Sequence, residues 1–310
     1  MTTLRRHLVD YLRLRRQLGY QLRVPGILLR NFVRFAGQQG TSLISTKLAL
    51  RWATRPASIT QRQRASRLGV VRQFAQYVSA IEPRTEVPAR KLIPWQFRRN
   101  DPFHYTDQNV QQLIGAARRI APAHRTKGVT LSTLLGLLAA TGMRVGEALA
   151  LDREDVDFTK ALLVIRRAKG NKSRLVPLHP STVRALEQYA RIREEIYPRP
   201  VTPSFFVWEG GVRLLHHTAH HWFVVAACQA GVRKLSGDRP PRLHDLRHYF
   251  AIRTLLNWYR RDVDVEAHLP KLATFLGHVH VRDTYWYLSA VPELLKLATF
   301  RWERAEKGSK

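Results

Sequence analysis

The sequence predicts a mostly α-helical protein with a small antiparallel β component, split into an all-helical N-terminal unit and a mixed α+β unit. Three observations carry this. Apolar residues recur at helical spacing through most of the chain. One stretch, ALLVIRRAKGNKSRLVPL, reads as two strands around a turn. A proline-rich basic segment, EPRTEVPARKLIPWQFRRNDPFH over 82–104, lacks periodicity and reads as a linker. The boundary between the units falls near residue 100, giving units of 1–100 and 105–310.

In the first unit Leu4, Leu8, Tyr11 and Leu12 mark one helix. Ile27, Leu28, Phe32 and Phe35 mark a second, after a break at Pro25-Gly26. A third runs from about Thr60 to Ile81, with Leu68, Val71, Phe74, Ala75 and Val78 on its apolar side and Arg62, Arg64, Arg67 and Arg72 on much of the rest. In the second unit Thr106 or Asp107 caps the helix NVQQLIGAARRI. Leu131, Leu134, Leu135 and Leu138 form a stripe ending at Thr141-Gly142, and a short helix follows through Arg144 to Leu151. Residues 161–168 and 175–178 are the strands. Ser181 and Thr182 cap a helix through Tyr189 and Ile192, SFFVW is a candidate strand, and the rest to about Glu303 reads as helical.

Charge narrows the partners. Of 310 residues 52 are Lys or Arg and 23 Asp or Glu, a formal net charge of +29. Residues 1–100 hold 20 Lys and Arg against 3 Asp and Glu, and only Lys47 and Lys91 are lysines. Arginine's planar fork suits bidentate phosphate contact, so a polyanion, nucleic acid, is the expected partner, ahead of a ribosomal-type basic protein or a binder of anionic membranes. The basic face opposite the apolar side of the third helix reads as DNA-facing, and Arg98 and Arg99 extend it into the linker. Cys228 is the single cysteine, which rules out an intrachain disulfide. The N-terminus has no apolar signal core, and LLGLLAA at 134–140 is too short to cross a bilayer. A cytoplasmic, nucleoid-associated protein with no membrane contact is expected.

Four clusters carry chemistry. In TGMRVGEALAL, Arg144 starts a helix and Glu147 shares its face, at a spacing that equally suits a solvent-facing pair. In AKGNKSRLVP, Lys169 and Lys172 flank a turn, with Arg174 at its end; such a hairpin tip can enter a DNA groove or merely stay soluble. In HDLRHYFA, His244 and Arg247 converge from one helical face as an oxyanion clamp. In FLGHVHVRDTYWYL, Gly277 breaks a helix before His278, and Tyr287 follows nine residues on. Tyr285 and Tyr287 lie about 200° apart on a helix and cannot share a face.

In this order and spacing the clusters resemble the tyrosine recombinase (phage integrase) family over residues 105–300, and the basic helical unit before them is similar to that family's core-binding domain. The stretch LRRQLGYQL is similar to transposon-borne members. The resemblance implies catalytic roles for Arg144, Lys169, His244, Arg247, His278 and Tyr287, with Glu147 supporting the first arginine. Lys169, before the Gly-Asn, is the family position, with Lys172 its neighbour in the same loop. Arg62, Arg64, Arg67, Arg72, Arg98, Arg99, Lys172 and Arg174 are the expected DNA contacts.

The chemistry so implied is cleavage and rejoining of DNA through a 3′-phosphotyrosine, without metal or cofactor, in the integration, excision or transposition of a mobile element. It also implies specific recombination sites and a homotetramer on two duplexes, with accessory recombinases as further partners. The amphipathic segment PELLKLATFRWERA then docks on a neighbouring subunit or on its own domain. Two alternatives share these features: a type IB topoisomerase-like nicking and closing enzyme, and a catalytically silent DNA-binding architectural protein. In LLHHTAHHWF, His216 with His220 and His217 with His221 have metal-chelating spacing, yet no acid or cysteine lies near to complete a site, and a polar helix face beside DNA is the preferred reading.

Overall fold

The computed structural model describes residues 3–95, 102–120, 125–166, 173–199, 201–233, 240–289, 294 and 299. It divides into two compact units, Met1–Arg99 and Asn100–Lys310.

The first unit contains α1 (Thr3–Gln17), α2 (Arg23–Gln38), α3 (Thr46–Thr54) and α4 (Gln61–Ser79). The apolar residues expected on α1 and α4 are all buried, and α4 is opened by a capping box between Thr60 and Gln63. Pro25-Gly26 is no break: both lie in the first turn of α2, where a missing N–H costs no bond. Ile27 faces solvent, 55% exposed, and Leu29, 1% exposed, takes the core position expected of it. The short α3, capped by Ser45 accepting from Leu48 N at 3.2 Å, is an element the periodicity did not show. The first half of the expected linker packs on this unit: Thr46 N donates to Glu86 at 2.8 Å, and Ile93 joins the core.

The second unit contains α5 (Asp107–Arg118), α6 (Arg125–Thr141), α7 (Val145–Ala150), β1 (Val156–Asp157), β2 (Leu162–Ile165), β3 (Arg174–Pro177) and α8 (Pro180–Ile196). It continues with α9 (His216–Gln229), α10 (Asp245–Arg260), α11 (Val265–Leu276) and α12 (Arg282–Ser289). The sheet is antiparallel, β1-β2-β3, with Leu163 opposite Val176 and Ile165 opposite Arg174. SFFVW forms no strand. Phe205 and Phe206 are buried aromatics on a segment held by isolated bridges, so their packing imitates a β pattern. His179, with Pro180 following, caps α8 in place of Ser181 or Thr182.

Two apolar clusters fill this unit. The larger joins α5 to α9 and the sheet, with Leu131, Leu134, Leu135 and Leu138 of α6 at its centre. The smaller joins Ala251 and Leu255 of α10, Leu269, Leu272 and Leu276 of α11, Tyr287 of α12, and Leu294. Leu294 therefore packs on its own domain, while the rest of PELLKLATFRWERA lies outside the described residues apart from Thr299. Among the described residues no helix is long and apolar enough to cross a membrane.

Candidate active site

The side chains of interest meet where the two clusters of the second unit adjoin. Gly142, with φ of +59°, ends α6, and an added Cβ would fall 2.6 Å from Phe250 of α10. This tight corner sets Arg144 as the residue before α7. Its Nη1 donates to Glu147 Oε1 at 2.7 Å, its backbone N to Oε2 at 3.0 Å, and its Nη2 to the Gly277 carbonyl at 2.8 Å. The i,i+3 pair is thus half-enclosed and anchored at both ends, not a solvent-facing pair.

Glu147 has a second cation. Arg174 of β3 donates to Oε1 at 3.1 Å and to Oε2 at 2.7 Å, while its Nε donates to the Phe275 carbonyl at 3.1 Å. Burial raises the pKa of this carboxyl, but hydrogen bonds and charge from Arg174 and Arg144 outweigh it and hold it at about 2. Glu147 is therefore a carboxylate, held between two guanidinium groups.

Arg247 of α10 is 3% exposed, and donates to the Gly142 carbonyl at 2.9 Å and the Leu276 carbonyl at 2.7 Å. Burial pulls its pKa down to about 10, partly countered by the Tyr287 phenol beside it, so it stays cationic at neutral pH. His244 precedes α10 in a turn clamped by Arg242 and Asp245, whose side chains meet at 2.7 Å. The residue is exposed, with its ring 5.2 Å from that of His248. Burial, followed by the charge of Arg247, lowers its pKa.

The C-terminus of α11 gathers these cations. Gly277, in the left-handed region with φ of +69°, and His278 return their N–H groups to Thr274 and Ala273. The next three carbonyls accept from three different arginines: Phe275 from Arg174, Leu276 from Arg247, Gly277 from Arg144. Helix C-termini carry unsatisfied carbonyls and partial negative charge, which accounts for the convergence.

His278 leaves this corner, its Nδ1 in a hydrogen bond with Thr284 Oγ1 at 2.7 Å. Tyr287 is 1% exposed, with its ring stacked on His278 at 6.2 Å between centroids and 17° between planes. Tyr285 is 48% exposed on the other face of α12. His248, given no catalytic role from the sequence, lies 5.4 Å from the Tyr287 ring and 5.2 Å from His244. Its position four residues after His244 on one helix was the available signal.

The structure thus brings together Arg144, Glu147, His244, Arg247, His278 and Tyr287. Lys169, Lys172, Arg98 and Arg99 lie outside the described residues. Two of the expected DNA contacts have partners within the chain. Arg174 has a side chain only 12% exposed and is committed to Glu147 and Phe275. Arg67 donates to the Trp52 carbonyl at 3.0 Å, with its guanidinium 3.9 Å over the Trp52 ring, so it braces α4 on α3. Arg62 is exposed; Arg64 and Arg72 are half-buried. His216, His217, His220 and His221 are all exposed on α9, and among the described residues no three His, Cys, Asp or Glu gather as a metal cluster.

Three comparisons place this geometry among known proteins. A protein of Sinorhizobium fredii named as an integrase/recombinase, y4rB, is 41% identical over 308 residues, covering 98% of each chain. The Tn1549 transposon integrase, solved with transposon right end DNA, superposes with a TM-score of 0.68 at 13% identity, covering 98% of this chain and 99% of that one. The lambda integrase tetramer solved on a Holliday junction superposes with a TM-score of 0.57 at 16% identity, covering 92% of this chain and 76% of that one. The phage integrase family model matches residues 104–293, which include the whole cluster around Arg144 and Tyr287. The chain therefore belongs to the phage integrase family, the tyrosine recombinases, which are DNA strand transferases of site-specific recombination.

Proposed function

We propose that the protein cleaves and rejoins double-stranded DNA at specific sites through a covalent 3′-phosphotyrosine at Tyr287. The observation that carries this is the place of Tyr287: stacked on His278, close enough to Arg247 to shift its pKa, while Tyr285 points away. Arg144 and Arg247 take the non-bridging oxygens of the scissile phosphate; each guanidinium has more donors than its protein partners use. The Tyr287 oxygen attacks phosphorus, the bond to the 5′ oxygen breaks, and the phenolic proton passes to a neutral histidine, His244 or His278. Lys169 protonates the departing 5′ oxygen, leaving a free 5′-hydroxyl, in the role the family resemblance gives it. Attack by a 5′-hydroxyl of another strand reverses the step and exchanges strands without ATP. In the DNA-free chain Tyr287 is 1% exposed, so attack requires α12 to shift as DNA engages the arginines.

Likeness to a transposon integrase and to a tetramer on a Holliday junction supports two further parts of the reading: movement of a mobile element, and assembly as a homotetramer on two duplexes. Arg62, Arg64 and Arg72 supply backbone contacts from the first unit, and Lys172 from the hairpin of the second.

The test is a nicked suicide duplex carrying the element's end. The wild type and Tyr285→Phe form an SDS-resistant adduct, and Tyr287→Phe forms none. An adduct that survives in Tyr287→Phe and vanishes in Tyr285→Phe would overturn the assignment.

A further inference from the structure

Arg174 stands at the start of β3, directly opposite Ile165, at the root of the hairpin whose sequence carries Lys169. A basic residue there reads from sequence as a DNA contact, but its surroundings are protein. All three nitrogens of its guanidinium are engaged within the chain: Nη1 and Nη2 on the two oxygens of Glu147, Nε on the Phe275 carbonyl. This is the two-pronged grip for which a planar fork is suited and a lysine is not. Gly277 packs flat against it: an added Cβ would lie 2.8 Å from Nη1 and 3.0 Å from Cζ. One side chain therefore ties the sheet to Glu147 of α7, which holds Arg144, and to the end of α11, from which His278 departs.

We propose that Arg174 is a positioning residue of the strand-transfer site. It fixes the pose of Arg144 through Glu147 and the pose of His278 through the α11 C-terminus, and makes no contact to DNA. The proposal rests on the reading of Arg144, His278 and Tyr287 as the cleavage site. A reactive geometry displaced by an ångström loses rate steeply even where binding is intact. Loss of Arg174 therefore acts on the chemical step, whereas loss of a phosphate contact acts on affinity and its salt dependence.

The experiment uses the full chain and the nicked suicide duplex, and measures adduct formation in a single turnover at saturating protein, with Kd measured over a salt series. Arg174→Lys keeps the charge and removes the fork. Its adduct rate is expected to fall roughly 10- to 100-fold with Kd and salt slope as in the wild type. In a Glu147→Gln background the same substitution is expected to cost less than it does in the wild type, because the route through Glu147 is already lost and only the one through the α11 C-terminus remains. A wild-type rate at saturating protein with Kd weakened throughout the salt series, or a salt slope shallower by about one contact in Arg174→Gln, would make Arg174 a DNA ligand and overturn the proposal. Losses that multiply independently in the double variant would overturn the route through Glu147. Should Arg174→Lys fail to fold, Arg174→Gln takes its place, keeping an amide donor toward Glu147 without the guanidinium fork. Loss of rate at unchanged salt slope supports the proposal, and a wild-type rate refutes it. Failure of the underlying reading would show separately, as no adduct in the wild type.

Discussion

His244 shows how position decides the chemistry of a residue. Its ring is packed at the head of α10 beside Arg247, with Arg242 and Arg144 near, and Asp245 only partly offsets their charge. Burial and the neighbouring cations both disfavour imidazolium, so the folded pKa lies below the ordinary 6.5. The sign follows directly. Below pH 6.5 the unfolded chain takes a proton at this position that the folded chain refuses, so stability falls with pH through that range. At neutral pH the ring is neutral and able to accept the phenolic proton in the proposed attack. An NMR titration of the DNA-free chain should place the His244 midpoint below 6.5, and a midpoint above it would contradict this electrostatic account. The identity of this histidine was legible in sequence from the HDLRH spacing. Its pKa was not, because Arg144 reaches it from a helix about a hundred residues earlier. The partners of Arg174 were hidden for the same reason: the carbonyl that accepts from its Nε belongs to Phe275, 101 residues on.

At the scale of elements, long periodic segments were legible and the shortest elements were not. The apolar sides of α4 and α6 follow from spacing alone, because each long helix has to bury one whole stripe. The nine-residue α3 and the two-residue β1 escaped, since segments so short are stabilised by packing and not by their own pattern. Glycine likewise marks two different things. Gly128 allows close approach inside a helix, while Gly142 and Gly277 turn the chain with positive φ. Gly128 gives the sharpest test: an added Cβ would lie 2.3 Å from the Arg118 carbonyl at the end of α5. A backbone atom cannot swing aside as a side chain does, so the end of α5 and the first turn of α6 would have to separate. Gly128→Ala should destabilise the chain by about 1–3 kcal/mol despite alanine's better helix propensity. Urea unfolding measures it, and a midpoint at or above that of the wild type would show that the helices part freely.

Over the whole molecule the governing quantity is charge. With 52 Lys and Arg against 23 Asp and Glu, the chain repels itself until a polyanion neutralises it, and that repulsion is strongest in the first unit. The family match begins at residue 104, so it speaks for the second unit, while the likeness to y4rB runs through both. Composition alone treats every arginine of α4 as equivalent. The structure divides them: Arg62 is exposed, and Arg67 is locked on Trp52. On the proposed DNA-binding reading these two respond to substitution in opposite ways. Each phosphate contact on duplex DNA contributes a slope of roughly −0.9 to log affinity against log salt. Arg62→Ser with Arg72→Ser should make that slope shallower by about two contacts and leave the unfolding midpoint near that of the wild type. Arg67→Ala should do the reverse, lowering the midpoint by removing a brace between α3 and α4 while the slope stays unchanged. A salt series on the three proteins, paired with urea melts, separates the outcomes. Equal slopes for all three would remove α4 from the DNA interface and transfer the electrostatic work to the basic residues of the second unit.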